Sequence, residues 1–134
     1  MRHRVRGRKL NRNTAHRRAL TRNLVRSLLD EFDGQGYIVT TLQKAKFVQS
    51  RAEKLISLGR TKNVHNVRQA MSFLQDRELV SKLFDQVGPY YAQRPGGYTR
   101  VLKLAKPRLG DNATRAYFGF VRDEAQEAAP AESA

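Results

Sequence analysis

The chain has 134 residues, with 26 Lys or Arg against 12 Asp or Glu, so its formal net charge is +14. Hydrophobic residues make up 40% of it, which suffices for one modest core in a chain of single-domain length. The absence of cysteine excludes a disulfide framework, a thiol nucleophile and cysteine-bound metal. No apolar run reaches the roughly 20 residues that span a bilayer. The excess of positive charge instead favours a polyanionic partner.

The N-terminal segment concentrates this charge. Residues 1–26 hold nine Arg and one Lys, and the first carboxylate is Asp30. Residues 1–12 have a base at almost every second position and little to bury, which predicts a flexible basic arm. An Arg-rich, acid-poor start is also typical of organellar transit peptides. We favour a binding arm, because residues 2–13 contain no serine and the basic series continues into a predicted helix.

The first helix is predicted to begin at Asn13 or Thr14 as N-cap and to end at Gly34. Its apolar stripe comprises Leu20, Leu24, Val25, Leu28, Leu29 and Phe32. Residues 37–40 are short and β-rich, which predicts a strand. Thr40 or Thr41 then caps a second helix, which Gly59 ends.

Two further helices are predicted downstream. The third begins within residues 61–63 and faces inward with Val64, Val67, Met71 and Leu74. Asp76 caps the fourth, and Gly88-Pro89 ends it. Its inward residues are Leu79, Val80, Leu83, Phe84 and Val87. We expect one core formed by Leu24, Leu28, Val48, Ile56, Leu83 and Phe84 with Phe118 or Phe120.

The pattern changes after residue 90. Residues 98–104 and 115–122 are strand-like and flank a turn-rich segment, 107–113, which predicts an antiparallel pair. Because two strands alone are marginal, residues 37–40 are expected to add a third. The predicted fold is α+β, with about four helices packed on one face of a small three-stranded sheet. The chain thus divides into a basic arm (1–12), one α+β domain (13–122) and an acidic, Ala-rich tail (123–134) that is expected to be disordered.

The residues offer little for catalysis. The three histidines lie far apart in sequence without metal-ligand spacing, and no phosphate-binding glycine loop is present. The carboxylates at Asp30, Glu31, Asp33 and at Asp76, Glu78 are interpreted as a solvated helix end and a helix cap. We therefore expect no catalytic, cofactor or metal site and no small-molecule substrate.

Arginine-rich segments suit nucleic acid, because the guanidinium fork fits phosphate oxygens and stays charged. The predicted nucleic-acid contacts of the arm and first helix are Arg2, His3, Arg4, Arg6, Arg8, Lys9, Asn11, Arg12, Asn13, His16, Arg17, Arg18 and Arg22. Near the ends of the second helix they are Lys44, Lys46, Arg60 and Lys62, and in the strand region Arg94, Tyr98, Arg100, Lys103 and Arg108. Among the tyrosines, Tyr98 is expected at the surface, where it can stack on bases, and Tyr117 at the helix–sheet junction.

Four stretches resemble the family of bacterial large-ribosomal-subunit protein seventeen: MRHRVRGRKLNRNTAHRRAL (1–20), TTLQKAK (40–46), KLFDQVGPYYAQRPGGYTRVLK (82–103) and RLGDNATRAYFGFV (108–121). The resemblance implies a non-enzymatic cytoplasmic protein that binds large-subunit ribosomal RNA and touches neighbouring ribosomal proteins, on the solvent side near the polypeptide exit. From the residues alone, a DNA-binding nucleoid or regulatory protein stays open as the alternative, because a basic helix can enter a major groove.

Overall fold

The computed structural model describes residues 2–5 and 7–122, and within them the chain forms four helices and three strands. In chain order these are α1 (Thr14–Asp30), β1 (Tyr37–Thr41), α2 (Leu42–Gly59), α3 (Val64–Leu74), α4 (Arg77–Lys82), β2 (Thr99–Lys103) and β3 (Arg115–Phe120). The helix begun by α4 runs on through a π-helical segment, Leu83–Val87, and a last turn, Gly88–Tyr90. The predicted tail, 123–134, and Arg6 of the arm lie outside the described residues.

Polar side chains cap the N-termini of three helices, α1, α3 and α4. The Asn13 side-chain oxygen accepts from the His16 backbone N–H at 2.8 Å, which confirms one of the two predicted caps of α1. The Asp76 carboxylate likewise accepts from the backbone N–H groups of Leu79 and Glu78 at the start of α4. These bonds, that of Leu79 above all, and the nearby Arg26 hold the pKa of Asp76 below its ordinary value.

The sheet is antiparallel in the order β1-β3-β2, so the last strand lies in the centre. Successive side chains of β3 point to opposite faces of the sheet. Ala116, Phe118 and Phe120 are therefore buried, while Tyr117 faces outward. Among the described residues, the helices pack on the inner face, with α2 contacting all three strands. The predicted α+β architecture, including residues 37–40 as the third strand, is confirmed.

The core lies between α1, α2, the α4 segment and the inner face of the sheet. Leu28, Val48, Ile56, Leu83, Phe84, Phe118 and Phe120 all belong to it, and Leu24 packs against it half-buried. All five residues predicted to face inward from the fourth helix are buried. Apolar spacing therefore identifies the core correctly for α1, α2 and the α4 segment.

The inward face predicted for α3 is wrong in part. Val64 is 66% exposed and Met71 is 37% exposed. The buried positions are Ala70 and Leu74, with Val67 half-buried beside them. At 100° per residue, Val64 and Met71 lie about a quarter turn away from that face. Ala70, with its small side chain, is fully buried where α3 packs against its neighbours.

The predicted end of the fourth helix at Gly88-Pro89 is also wrong. The Gly88 N–H donates to the Leu83 carbonyl, five residues earlier, and the helix continues to Tyr90. A proline inside a regular α-helix clashes with the carbonyl four residues back. The wider π-helical segment immediately before Pro89 relieves that crowding.

Gly59 ends α2 as predicted, and it also packs against Gly88, which does not end its helix. A Cβ at Gly88 would lie 1.9 Å from the Gly59 carbonyl oxygen. One at Gly59 would lie 2.8 Å from Leu83 Cγ. The end of α2 and the start of the last turn therefore meet backbone to backbone, which only glycine permits. Gly34 does not end α1 either, since α1 ends at Asp30.

Candidate nucleic-acid interface

A basic groove runs between α1, α2 and α3 on the helical side of the molecule. It consists of two adjoining depressions of about 670 and 580 Å³, which share Arg51, Gln69 and Ser72 as lining residues. Its cationic side chains are Arg17, Arg18 and Arg22 from α1, Arg51 and Lys54 from α2, and Arg68 with His65 from α3. None of the residues found to line this groove is an Asp or Glu. We refer to it below as the helical groove.

Helix periodicity brings these residues together. On α1 the lining positions are 14, 17, 18, 21 and 22, and on α2 they include 47, 50, 51 and 54. On α3 they include 65, 68, 69 and 72. Each set repeats the i, i+3, i+4, i+7 spacing of one helix face. Three polar faces thus converge on one surface opposite the apolar faces that form the core.

Two guanidinium groups in the groove are held at Phe73, near the end of α3. The Arg51 guanidinium carbon lies 4.3 Å from the centre of the Phe73 ring, a cation–π contact. Arg22 Nε donates to the Phe73 carbonyl oxygen at 2.7 Å. Arg22 therefore joins α1 to the end of α3, which satisfies a carbonyl that the helix leaves unpaired. The cations of the groove are partly preorganised before any ligand binds.

The basic arm lies at one end of the same groove. A Cβ on Gly7 would come within 3.9 Å of Phe47, a groove residue. The Arg12 N–H donates to the Lys9 carbonyl at 3.0 Å across Leu10 and Asn11, which both have positive φ, so these four residues form a type I′ turn. The side chains of the arm at positions 2–5 and 7–9 are exposed.

Arg12 and Arg17 fix the junction between the arm and α1. Arg12 donates to the Leu10 carbonyl at 2.7 Å, and Arg17 donates to the Arg12 carbonyl. Arg17 also donates to the Thr14 hydroxyl at 3.2 Å. Of the predicted series, Arg17, Arg18 and Arg22 line the helical groove, and the arm joins the groove at the Arg12–Arg17 contact.

The predicted set on α2 does not come together. Lys44 and Lys46 lie in its first turns, whereas Arg60 and Lys62 follow its other end, about 24 Å away at 1.5 Å per residue. Arg60 donates to the Tyr98 hydroxyl at 3.1 Å and to the Ala92 carbonyl at 2.9 Å. Lys62 pairs with Asp85 at 3.0 Å.

The expectation for the two tyrosines is reversed in the structure. Tyr98 is 1% exposed, so its ring presents no face to a base, and its hydroxyl accepts from Arg60. It is buried because Tyr91 packs against it at 5.2 Å and because the Glu53 carboxylate accepts from its backbone N–H. Tyr117, expected at the helix–sheet junction, lies on the open face of the sheet instead.

The other predicted residues of the strand region lie on the sheet side, away from the helical groove. Arg100 and Lys103 are exposed on β2. Arg94 precedes them and lines the open face of the sheet with Arg100. Arg108 forms a bidentate pair with Asp111 in the loop before β3. The Arg108 guanidinium, and then the Ala113 N–H, lower the pKa of Asp111 to about 2, while the pKa of Arg108 is raised by the same pair.

Sequence reasoning missed part of the groove. Arg51, Lys54, His65 and Arg68 were not among the predicted contacts. A signal was available, because these residues fall at i, i+3 and i+4 positions on the polar faces of α2 and α3. Consecutive basic residues in the sequence indicate the arm. The basic residues of α2 and α3 form a cluster only when each helix is projected down its axis.

The acidic residues assemble no metal site within the described part of the chain. Asp33 pairs instead with Lys82 at 3.0 Å, and the Lys82 ammonium also donates to the Asp30 carbonyl at 3.0 Å. Lys82 of α4 thus compensates the acidic end of α1 electrostatically. Among residues 2–5 and 7–122, none of the helices is both long and apolar enough to cross a membrane.

Comparison with known proteins gives concordant matches. The family "Ribosomal protein L17" matches over residues 20–121. The large ribosomal subunit protein bL17 of Acidobacterium capsulatum is 48% identical over 124 residues, which cover 92% of this chain and 74% of the relative. The large ribosomal subunit protein bL17 of Syntrophotalea carbinolica is 44% identical over 124 residues, covering 92% and 77% of the two chains.

Proposed function

The chain belongs to the ribosomal protein L17 family, and from that premise we propose that it binds large-subunit ribosomal RNA through its basic arm and its helical groove. The family consists of structural proteins of the large ribosomal subunit and not of enzymes. The chain is accordingly a component of a cytoplasmic ribonucleoprotein that serves translation, with ribosomal RNA and other ribosomal proteins as its partners.

One observation carries the proposal: six Lys or Arg side chains from three helices converge on a surface without a carboxylate among its identified lining residues. A surface of one charge sign that a folded core holds in place is costly unless an anion covers it. The phosphates of RNA supply that anion at regular spacing, and the guanidinium forks can bind them bidentately. The arm continues the same surface with Arg2, Arg4 and Arg8.

The predicted contacts divide on this basis. We propose the arm and α1 as the principal contact, with Lys44 and Lys46 at the nearby start of α2. Arg51, Lys54 and Arg68 join them. Lys62 and Arg108 are paired with carboxylates, which phosphate would have to displace. Arg60 lies after the far end of α2. Tyr98 is left out, since its ring is buried.

The test compares two full-length variants with the same loss of charge. Lys54→Gln with Arg68→Gln removes two cations from the helical groove, whereas Arg77→Gln with Lys106→Gln removes two exposed cations elsewhere. Binding to purified large-subunit ribosomal RNA is measured as a function of salt. The logarithm of the association constant falls as the logarithm of the salt concentration rises. If each groove cation neutralises one phosphate, this slope should become less negative by about 1.4–1.8 in the groove variant. The control variant should keep the slope of the unmodified chain.

Equal slopes for the two variants would contradict the proposal. Duplex DNA of the same length serves as competitor, because a protein docked on folded ribosomal RNA should prefer that RNA at matched charge. Equal affinity for both would contradict it too.

A further inference from the structure

The open face of the sheet carries four exposed apolar side chains in adjacent positions. Tyr37 and Val39 come from β1, Tyr117 from β3 and Leu102 from β2, each between 36% and 52% exposed. The strand register places Val39, Tyr117 and Leu102 side by side in one row across the sheet. Clustered apolar exposure of this kind marks a binding surface.

The next row across the sheet is Tyr37, Gly119 and Arg100. Gly119 is required here by close backbone approach, because a Cβ would lie 2.6 Å from Tyr37 Cβ and 2.8 Å from the Gly36 carbonyl oxygen. The missing side chain leaves a recess above β3, between Tyr37 and Arg100. A depression of about 580 Å³ occupies this place, and Tyr117 forms another of its walls.

The rim of the recess is cationic. Arg94, Arg100 and Arg122 line it, and no Asp or Glu is among the residues identified as lining it. Arg122 is fixed there by donating to the Phe32 carbonyl, with its guanidinium carbon 5.3 Å from the centre of the Phe32 ring. An apolar, aromatic floor inside a positive rim complements a nucleotide, whose base is flat and whose phosphate is anionic.

We propose that this face is a second RNA site, which binds an unpaired nucleotide with its base stacked on Tyr37 or Tyr117 and its phosphates beside Arg100 and Arg122. The two rings meet edge to face, with centres 4.7 Å apart and planes at 71°. In that geometry, each tyrosine is still 36% exposed, which leaves ring surface for stacking. Exposed aromatic side chains on a sheet are a general means of binding single-stranded bases. The inference rests on the proposed function and extends it to the opposite side of the molecule.

The test uses aromatic substitutions in the full-length chain. Tyr37→Val with Tyr117→Val removes both rings and introduces β-branched residues, which suit strands. Tyr37→Phe with Tyr117→Phe keeps the rings and serves as the matched control. The probe is a single-stranded RNA hexamer with 2-aminopurine at its centre, whose fluorescence is quenched when the base stacks.

The Val variant should bind the hexamer about 5- to 150-fold more weakly, the loss expected for one base–aromatic stack. Its salt slope should not change, because stacking neutralises no phosphate. The Phe variant should bind like the unmodified chain. The groove variant Lys54→Gln with Arg68→Gln should differ from the Val variant in both respects. Its binding to ribosomal RNA should depend less steeply on salt, and it should still quench the fluorescence of the hexamer.

Unchanged hexamer binding by the Val variant would overturn the inference while leaving the helical groove intact as a site. If the Val variant instead kept its RNA affinity and lost another ribosomal protein from reconstituted subunits, the face would bind protein and the inference would be wrong. Photo-crosslinking of the unmodified chain to RNA that contains 4-thiouridine does not depend on whether a substituted protein folds. Crosslinks at Tyr37 or Tyr117 are expected, and crosslinks confined to the arm and groove would contradict the site.

Discussion

The carboxylate of Glu53 accepts two hydrogen bonds from Thr99, one from its backbone N–H at 2.8 Å and one from its hydroxyl at 2.6 Å. A third bond comes from the Tyr98 N–H at 3.1 Å. Glu53 lies in the middle of α2, and Thr99 is the first residue of β2. One acidic side chain therefore joins the central helix to an edge strand.

Replacing Glu53 with Ala should lower the free energy of unfolding by about 1.5–3 kcal/mol, the range for hydrogen bonds to a charged group. The loss follows because Thr99 is buried and its N–H and hydroxyl would lose their partner. Urea denaturation measures it. Gln43→Ala, at an exposed position of the same helix, should change stability by less than about 0.5 kcal/mol. Equal effects of the two substitutions would show that the Glu53 contact contributes little.

The backbone contact between Gly59 and Gly88 gives a second prediction. Gly88→Ala places a Cβ 1.9 Å from the Gly59 carbonyl oxygen, so backbone must move. Destabilisation of at least about 1–3 kcal/mol is expected from such overpacking. Gly96→Ala is the control, since a Cβ there meets nothing within 4 Å. Thermal unfolding of both variants checks this, and a Gly88→Ala protein as stable as the control would refute the close contact.

Burial of Tyr98 and exposure of Tyr117 illustrate what the sequence leaves open. Alternation in β3 predicts that residues 116, 118 and 120 share one face, and the structure confirms it. Which face the helices cover is a tertiary property. Tyr98 follows two glycines and resembles a loop residue in sequence, yet Glu53 and Tyr91 from distant parts of the chain bury it.

Neighbouring residues are sufficient to predict a feature when all of its contacts lie within one short segment. The caps Asn13 and Asp76 are formed by side chains within three residues of the N–H groups they bind. The close contact of Gly88 with Gly59 instead joins positions 29 apart in the chain, which no local signal predicts. The helical groove can be predicted only in part. The sequence shows the spacing of polar residues on each helix, but it does not show that the three helices converge.

The pair of Arg108 and Asp111 predicts a pH dependence. The pKa of Asp111 is lowered to about 2 from the ordinary 3.8, mainly by the Arg108 guanidinium. A carboxyl whose pKa falls on folding stabilises the protein above its unfolded pKa, and that contribution is lost as the pH falls through about 2. Between pH 4 and 2, stability should therefore fall less steeply in Asp111→Asn.

Carboxyl-carbon NMR of Asp111 measures its pKa directly. A value at or above 3.8 would contradict the pairing. Raised salt should move it toward 3.8, because both side chains are about half exposed and the pair is screened.

We propose that the arm and the helical groove dock on ribosomal RNA as a shaped surface and not as diffuse charge. Replacing Arg2, Arg4, Arg8 and Arg18 with Lys retains every charge at four exposed positions and removes the planar fork. Affinity for large-subunit ribosomal RNA, relative to an unrelated RNA of equal length at near-physiological salt, is the deciding measurement. Weaker binding and a reduced preference for ribosomal RNA are expected, with most of the salt slope retained. Unchanged affinity and unchanged preference would contradict it.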